Sequence, residues 1–246
     1  MEISPAIPAA TLVTVCERAD GPPELLLVER SQGMAFAGGA LVFPGGRIDD
    51  GDRVLGGADE AAARVAAIRE TLEETAIPVG IRPLQSKSES LELQSALLAG
   101  EDFGELLRLR GLQLDLAALT PFARWVPKFH ATRRFDTLFF LARAPVADWQ
   151  PNHVEGECNA AFWIGAKEAL EREGRGEARL IFPTRRNLER LALHDSFDAM
   201  RADAGAHTIE PISPWVEEVD GESFITIPGG VGYPVTREKL DGLWRG

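Results

Sequence analysis

Residues 59–78 limit what this chain can fold into more than any other stretch. Val65, Ile68, Leu72 and Ala76 recur at three- and four-residue spacing, which predicts a helix with one apolar stripe. Asp59 or Ala58 can begin it, and Pro78 must end it soon afterwards. Glu70, Glu73 and Glu74 are related as i, i+3 and i+4, so their carboxylates share a face. At about 100° per residue that face lies roughly opposite the stripe. One side of the helix is therefore expected to pack on a core while the other presents three negative charges. Like charges at this spacing destabilise a helix by about 0.2–0.5 kcal/mol per pair unless something neutralises them. Carboxylate oxygens suit a hard divalent cation such as Mg²⁺, Mn²⁺ or Ca²⁺. A solvated acidic face is the plain alternative, and the preceding chain weighs against it. Phe43-Pro44-Gly45-Gly46 reads as a glycine loop that lets backbone approach a ligand, and the acidic turn Asp49-Asp50-Gly51-Asp52 follows.

Around this helix, residues 11–16 and 24–30 read as a buried strand pair joined by the turn chemistry of Asp20-Gly21-Pro22-Pro23. Short strands are also expected at 40–43, 133–142 and 158–164. Residues 85–120 carry too many leucines for a linker and read as a second, mostly helical region. Helices are expected at 165–173 and, as one element opened by Pro183-Thr184, over 184–204. The last forty residues hold strand and turn signals, among them Gly229-Gly230, a flap or a hairpin turn. Trp149, Trp163, Trp215 and Trp244 are expected in the core or an interface. Strands and helices intermingle without strict alternation, which favours an α+β, layered mixed-sheet fold.

Charge narrows the partners. Across 246 residues, 26 Lys and Arg face 38 Asp and Glu, a net charge of −12. Such a surface repels nucleic acid and anionic lipid unless basic residues gather in one patch. The basic spots Arg133-Arg134 and Arg185-Arg186 suit local phosphate contacts or surface salt bridges. Two cysteines, Cys16 and Cys158, cannot build a disulfide framework, and no apolar run approaches the ~20 residues of a membrane span. The N-terminus lacks the marks of a signal peptide, so a soluble, cytoplasmic protein is expected.

The segment around the acidic helix resembles the Nudix box, G-x5-E-x7-R-E-U-x-E-E-x-G-U with U apolar. Gly46 matches the opening glycine, Arg69-Glu70 the R-E pair, Glu73-Glu74 the E-E pair and Ile77 the closing apolar residue. Asp52 stands where Glu is usual, and sixteen residues separate it from Arg69 instead of seven. The first box acid, which in the family braces the loop through the box arginine, is therefore Asp52 or Glu60. Thr71 replaces an apolar residue and Ala76 the last glycine. Arg30-Ser31, Met34, Gly39 and Phe43–Gly46 sit at spacings similar to those of coenzyme A diphosphatases in this family, with Ala35 and Ala37 where an Arg and a His are usual. The interrupted box, Arg134-Phe135-Asp136-Thr137 and Phe182-Pro183-Thr184 resemble the peroxisomal coenzyme A diphosphatase subgroup and its bacterial relatives.

The resemblance implies a Nudix α/β/α sandwich that hydrolyses a nucleoside diphosphate linked to another moiety. It implies a single domain over 1–246, with a helical insert at about 85–123 and a C-terminal extension at about 205–246. The insert is read as a helical cap that shapes the site or a homodimer. Glu70, Glu73, Glu74 and the backbone of Gly46 would hold Mg²⁺ or Mn²⁺. Arg69 would hold a loop acid or orient a helix carboxylate, and water would be deprotonated by Glu157, with Glu155 and Glu70 as rivals. Arg30, Gly45, Gly46, Arg133 and Arg134 would bind substrate, and His130 is more simply structural. Coenzyme A or acyl-coenzyme A leads as substrate, ahead of ADP-ribose, NADH or another dinucleotide or nucleotide sugar. A non-catalytic nucleotide-binding regulator would be expected to lose box carboxylates that this chain keeps, and an RNA-cap hydrolase would want a basic surface it lacks.

Overall fold

The computed structural model describes residues 5–33, 37–127, 134–145, 149–154, 156 and 158–240. Period-two alternation sends Val13, Val15, Leu25, Leu27, Phe139 and Leu141 to one face of a mixed sheet. It sends Ala10, Leu12, Leu26, Phe140 and Ala142 to the other. Both faces are apolar, so each is covered by helices, and the result is three layers, α/β/α.

The chain enters along β1 (Ile7–Cys16) and returns along β2 (Glu24–Arg30). These strands pair only at Val15↔Leu25 and Cys16↔Glu24 before they diverge. The fork between them is filled by β3 (Ala40–Val42), paired with β2 at Val28↔Val42, and β4 (Gly45–Arg47), paired with β1 at Ala10↔Gly46. The glycine loop expected at 45–46 is therefore a strand. A Cβ on Gly45 would lie 2.7 Å from Thr11 Cα, so only a residue without one lets β4 close on β1.

Helices α1 (Asp50–Gly56) and α2 (Asp59–Thr75) follow, and α2 lies over the face lined by Ala10 and Leu12. Val65, Ile68 and Leu72 are fully buried, each contributing about 1.5–3 kcal/mol. Thr71 is buried where an apolar residue is usual, and its hydroxyl donates to the Ala67 carbonyl at 2.7 Å, so nothing polar is left unpaired there. The helix stops at Ala76, whose left-handed backbone (φ 56°, ψ 15°) is the conformation that favours glycine at this position.

Next come β5 (Ile81–Arg82), α3 (Lys87–Leu98), α4 (Phe103–Arg110) and β6 (Gln113–Leu114). Leu93, Leu97, Phe103, Leu106 and Leu107 join the core of α2, so this region is helical as expected. Its end is not: β7 (Thr120–Trp125) already belongs to the main sheet, antiparallel to β8 (Phe135–Arg143). Strand β8 lies parallel to β1 from Ile7↔Phe135 to Val15↔Arg143, and β9 (Cys158–Gly165) flanks β2.

The opposite face is covered by α5 (Ala166–Gly174), then β10 (Arg179–Leu180) beside β3, then α6 (Phe182–Leu191) and α7 (Phe197–Ala206). The single helix expected over 184–204 is thus two. Ser196 Oγ accepts the Ala199 N–H at 3.1 Å and starts a new helix after the break. Strand β11 (Pro211–Ile212) pairs with β7. Strands β12 (Trp215–Val219), β13 (Glu222–Thr226) and β14 (Arg237–Lys239) form a separate antiparallel sheet, and Gly229-Gly230 is a turn between the last two. Trp149 and Trp163 pack against the α2 core, Trp215 is exposed and Trp244 lies outside the described residues. Among the described residues no helix is long and apolar enough to cross a membrane.

The pair Arg185-Arg186 reaches carboxylates of the chain itself. Arg185 meets Glu173 at 3.0 Å, and Arg186, which is buried, meets Glu189 and Glu238 at 2.8 Å each. One turn further on, the buried Arg190 donates through Nε to Asp203 at 2.6 Å and lies 4.4 Å over the Phe122 ring. A buried guanidinium stripped of its carboxylate is strongly unfavourable. Asp203→Ala should lower the free energy of unfolding by about 3–5 kcal/mol. A urea titration checks this, and a loss under about 1 kcal/mol would contradict it.

Candidate active site

The site is assembled around Arg69. Asp52, buried in α1, takes the guanidinium in a two-pronged bond, Nε to Oδ1 and Nη2 to Oδ2, both at 2.9 Å. Asp52 is itself fixed as the third residue of the α1 capping box, where its Oδ2 accepts the Asp49 N–H at 2.9 Å. The choice between Asp52 and Glu60 is therefore settled by geometry. Glu60 instead pairs with Arg64 at 2.8 Å, on the first turn of α2. The sixteen residues between Asp52 and Arg69 fold into the rest of α1 and the start of α2, which run back past each other. A Cβ on Gly56 would lie 2.6 Å from Ala62 Cα, so the two helices touch along their backbones.

The rest of the guanidinium reaches the other elements. Nη1 donates to Glu70 at 3.0 Å and to Glu73 at 3.2 Å, while Nη2 also donates to the Arg47 carbonyl of β4 at 3.1 Å. Burial alone disfavours the charge on Arg69. The bond to Asp52 and the charges of Glu70, Asp52 and Asp49 outweigh it and raise its pKa above the ordinary arginine value.

Glu70 and Glu74 differ from a solvated acidic face. Glu74 is buried, and its Oε2 accepts the Gly45 N–H at 3.3 Å. The Glu70 carboxylate fills the space beside Gly46, where a Cβ would lie within 2.7 Å of Oε2. Burial pushes the Glu70 pKa up to about 7; Arg69 opposes the rise, and the charges of Glu73 and Asp49 add to it. The face is thus pressed against β4 instead of standing open to water, because the helix is buried around most of its circumference.

Arg30 ends β2 opposite Cys158, and Arg134 immediately precedes β8, its carbonyl accepting the Ile7 N–H at 2.7 Å. The register sets both at the end of the sheet where β1 begins, the end that also carries Gly46 and Glu70. Each has a buried Nε with no hydrogen-bond partner among the described residues. Glu157, Arg133, Glu155 and His130 lie outside the described residues. Asp52 was visible in the sequence through its spacing from Gly46. Gln94 and Asn152, which bond to the end of α2, had no sequence signal, because their partners are backbone carbonyls.

The donors around Glu70 and Glu74 are hard oxygens, and the desolvated Glu70 beside Glu73 is a charge that Arg69 only partly offsets. That chemistry fits a hard divalent cation. Among the described residues no three His, Cys, Asp or Glu side chains converge on one point. Glu70 and Glu73 turn toward Arg69, and Glu74 turns toward Gly45.

A family profile described as NUDIX domain matches residues 6–95. A crystal structure of a Nudix hydrolase from Alicyclobacillus acidocaldarius superposes with a TM-score of 0.72 at 31% identity, covering 81% of this chain and 97% of that one. The chain belongs to the Nudix family. An acyl-coenzyme A diphosphatase of Gallus gallus, NUDT19, is 26% identical over 275 residues, covering 86% of this chain and 73% of its own length. The Nudix hydrolase NudL of Escherichia coli K12 is 41% identical over 70 residues, 28% of this chain and 31% of its own length. Nudix enzymes are hydrolases of diphosphate bonds and generally use divalent metal ions, and this chain is a hydrolase of that class.

The raised pKa of Glu70 makes stability depend on pH. Its protonated form is favoured by folding, so its contribution is fully present below about 4.5 and is lost as pH rises through about 7. In EDTA, Glu70→Gln should match the parent near pH 4.5 and exceed it at pH 8 by up to about 2–3 kcal/mol. Urea titrations at the two pH values check this, and equal differences at both would contradict it.

Proposed function

We propose that this Nudix hydrolase is a Mg²⁺- or Mn²⁺-dependent diphosphatase acting on coenzyme A or an acyl-coenzyme A. The reaction would release a phosphopantetheine and an adenosine 3′,5′-bisphosphate. The observation that carries the chemistry is the pair of desolvated carboxylates Glu70 and Glu74 pressed against the Gly45–Gly46 backbone, with Glu73 on the same face of α2 and held by Arg69. The substrate class is supported by the acyl-coenzyme A diphosphatase of Gallus gallus, whose likeness extends over most of the chain.

Glu70, Glu73, Glu74 and the Gly46 backbone would hold the cation, which when bound neutralises diphosphate charge and eases deprotonation of the attacking water. Arg69, held by Asp52, ties Glu70 and Glu73 together through Nη1 and lowers the repulsion between them. Gly45 orients Glu74 through its N–H. Arg30 and Arg134 carry unpaired donors at the same end of the sheet and would take phosphate oxygens, with Arg133 beside them in sequence. Glu157, just before β9, is assigned the proton of the attacking water, with Glu155 and Glu70 as alternatives.

A substrate panel of coenzyme A, acyl-coenzyme A, ADP-ribose, NADH and a diadenosine polyphosphate, with Mg²⁺ or Mn²⁺, tests the reading. Coenzyme A or its acyl ester should be split at the diphosphate, and EDTA should stop the reaction. Glu74→Gln should lower kcat roughly 10²–10³-fold, as expected when several kcal/mol of charge stabilisation are lost. Turnover confined to ADP-ribose or NADH would keep the chemistry and replace the substrate. Binding of nucleotide without turnover of any panel member would replace the enzyme by a binding module.

Substrate positioning also depends on the glycine at 46. Gly46→Ala would force the Glu70 carboxylate from its place. It should reduce kcat/KM by at least about 100-fold, on the scale of a 1 Å misplacement. The urea midpoint should move far less than the activity; retained activity would contradict the assignment.

A further inference from the structure

One guanidinium outside the Nudix box is held ready at the end of the sheet where β1 begins. Arg124, on β7, donates through Nε to Asp136 Oδ1 at 2.7 Å and through Nη2 to Asp136 Oδ2 at 2.6 Å. Asp136 belongs to the neighbouring strand β8, so this two-pronged bond fixes the plane of the guanidinium from across the sheet. A guanidinium keeps further N–H donors when two are engaged. Those on Nη1 meet no described residue. The Arg124 side chain is 41% exposed and that of Asp136 is 24% exposed, so the acid is the inner, orienting partner and the guanidinium the outer one.

Register places this pair relative to the glycine strand. Gly46 is paired with Ala10, Ala10 with Leu138 and Leu138 with Arg124, so these residues form one row across β4, β1, β8 and β7. Paired residues share a face, and Ala10 and Leu138 belong to the core under α2, so Arg124 stands on the α2 face. Successive inter-strand steps put its Cα about 14 Å from that of Gly46. Asp136 lies two residues nearer the start of β8 than Leu138 and draws the guanidinium toward that end. Arg134, two residues before Asp136, falls on the same face and keeps a buried Nε with no partner among the described residues. Outward from the α2 carboxylates at Gly46, the face therefore offers Arg134 and then Arg124. A lone ion pair would leave this corner neutral; two guanidiniums against one carboxylate leave it positive, on a chain of net charge −12.

We propose that Arg124 is a specificity-determining residue that binds the 3′-phosphate of the adenosine half of coenzyme A, with Asp136 as its positioning residue. The inference rests on the coenzyme A reading of the substrate. The 5′-diphosphate and the 3′-phosphate hang from one ribose, so seating the diphosphate at Gly46 and Arg134 carries the 3′-phosphate outward along the same face. A phosphate monoester brings about two negative charges and suits a pre-oriented guanidinium with open donors. ADP-ribose and NADH have no phosphate at that position, so Arg124 would separate coenzyme A from them without touching the reacting atoms.

The test compares coenzyme A with dephospho-coenzyme A, which lacks only the 3′-phosphate, on the full chain with Mg²⁺. The parent should show kcat/KM at least about tenfold higher for coenzyme A, the scale of a hydrogen bond to a charged group. Arg124→Gln should remove that preference, lowering kcat/KM for coenzyme A at least about tenfold and that for dephospho-coenzyme A by less than about twofold. Asp136→Asn, which keeps the shape and loses the charge, should lower the preference at least about threefold. Calorimetry in EDTA gives a readout apart from turnover and, on the parent, apart from any variant's folding. Adenosine 3′,5′-bisphosphate should bind the parent at least about tenfold more tightly than adenosine 5′-monophosphate, and the two should bind Arg124→Gln alike. Equal losses on both esters in Arg124→Gln, or a parent that treats the two esters alike, would overturn this inference and leave the coenzyme A reading standing. No cleavage of coenzyme A by the parent would overturn that reading and this inference with it.

Discussion

The guanidinium of Arg69 is the interaction on which the rest of the site depends. Three carboxylates on one face of α2 and those of Asp49 and Asp52 at the start of α1 would repel one another, and burial makes that repulsion stronger than in water. Arg69 answers with a planar fork. One edge is locked to Asp52, and its remaining donors reach Glu70, Glu73 and the Arg47 carbonyl. A lysine could not satisfy this geometry, because it offers a point charge and no parallel pair of donors. The extra residues between Asp52 and Arg69 are tolerated because they fold as helix and return to the same fork.

The divergence of β1 and β2 is the second constraint. Two strands that pair for two residues and then part leave backbone groups exposed on both, and β3 and β4 supply the partners. Filling so narrow a gap needs residues without side chains, and those residues are Gly45 and Gly46. Their small size is then used twice: Gly45 gives its N–H to Glu74, and Gly46 leaves room for Glu70. The site exists because sheet and helix come closer here than any side chain would allow.

Support comes from both outer layers. On the α2 side, Gln94 and Asn152 supply donors to the frayed end of the helix. On the other, Arg190 sits between the Phe122 and Tyr233 rings, and Tyr233 and Trp125 meet Asn187 in a buried hydrogen-bonded group. Burial pushes the Tyr233 pKa up to about 12, so it serves that group as a neutral hydroxyl. The C-terminal region is fastened to the catalytic body through this polar cluster and through Glu238, as much as through apolar packing.

Much of this was determined by the sequence alone. Helix periodicity and Pro78 set α2 to within a residue of its ends, because burial of one stripe and loss of an N–H are local rules. The i, i+3, i+4 spacing placed three carboxylates on one face, and short β-branched or leucine-rich runs announced β1 and β2, with strands also expected at β8 and β9. The tertiary structure decided what local rules do not reach. It made a strand of the glycine segment, since pairing with β1 joins residues 34 to 38 apart in sequence. It divided residues 184–204 into two helices where Ser196 could cap. It buried Arg186 and gave both arginines carboxylate partners, because Glu173 and Glu238 arrive from other elements. It chose Asp52 over Glu60 and brought Gln94 to the end of α2. Each of these choices depends on which groups meet across the core, and a pairing between groups far apart in the chain leaves no period in the sequence.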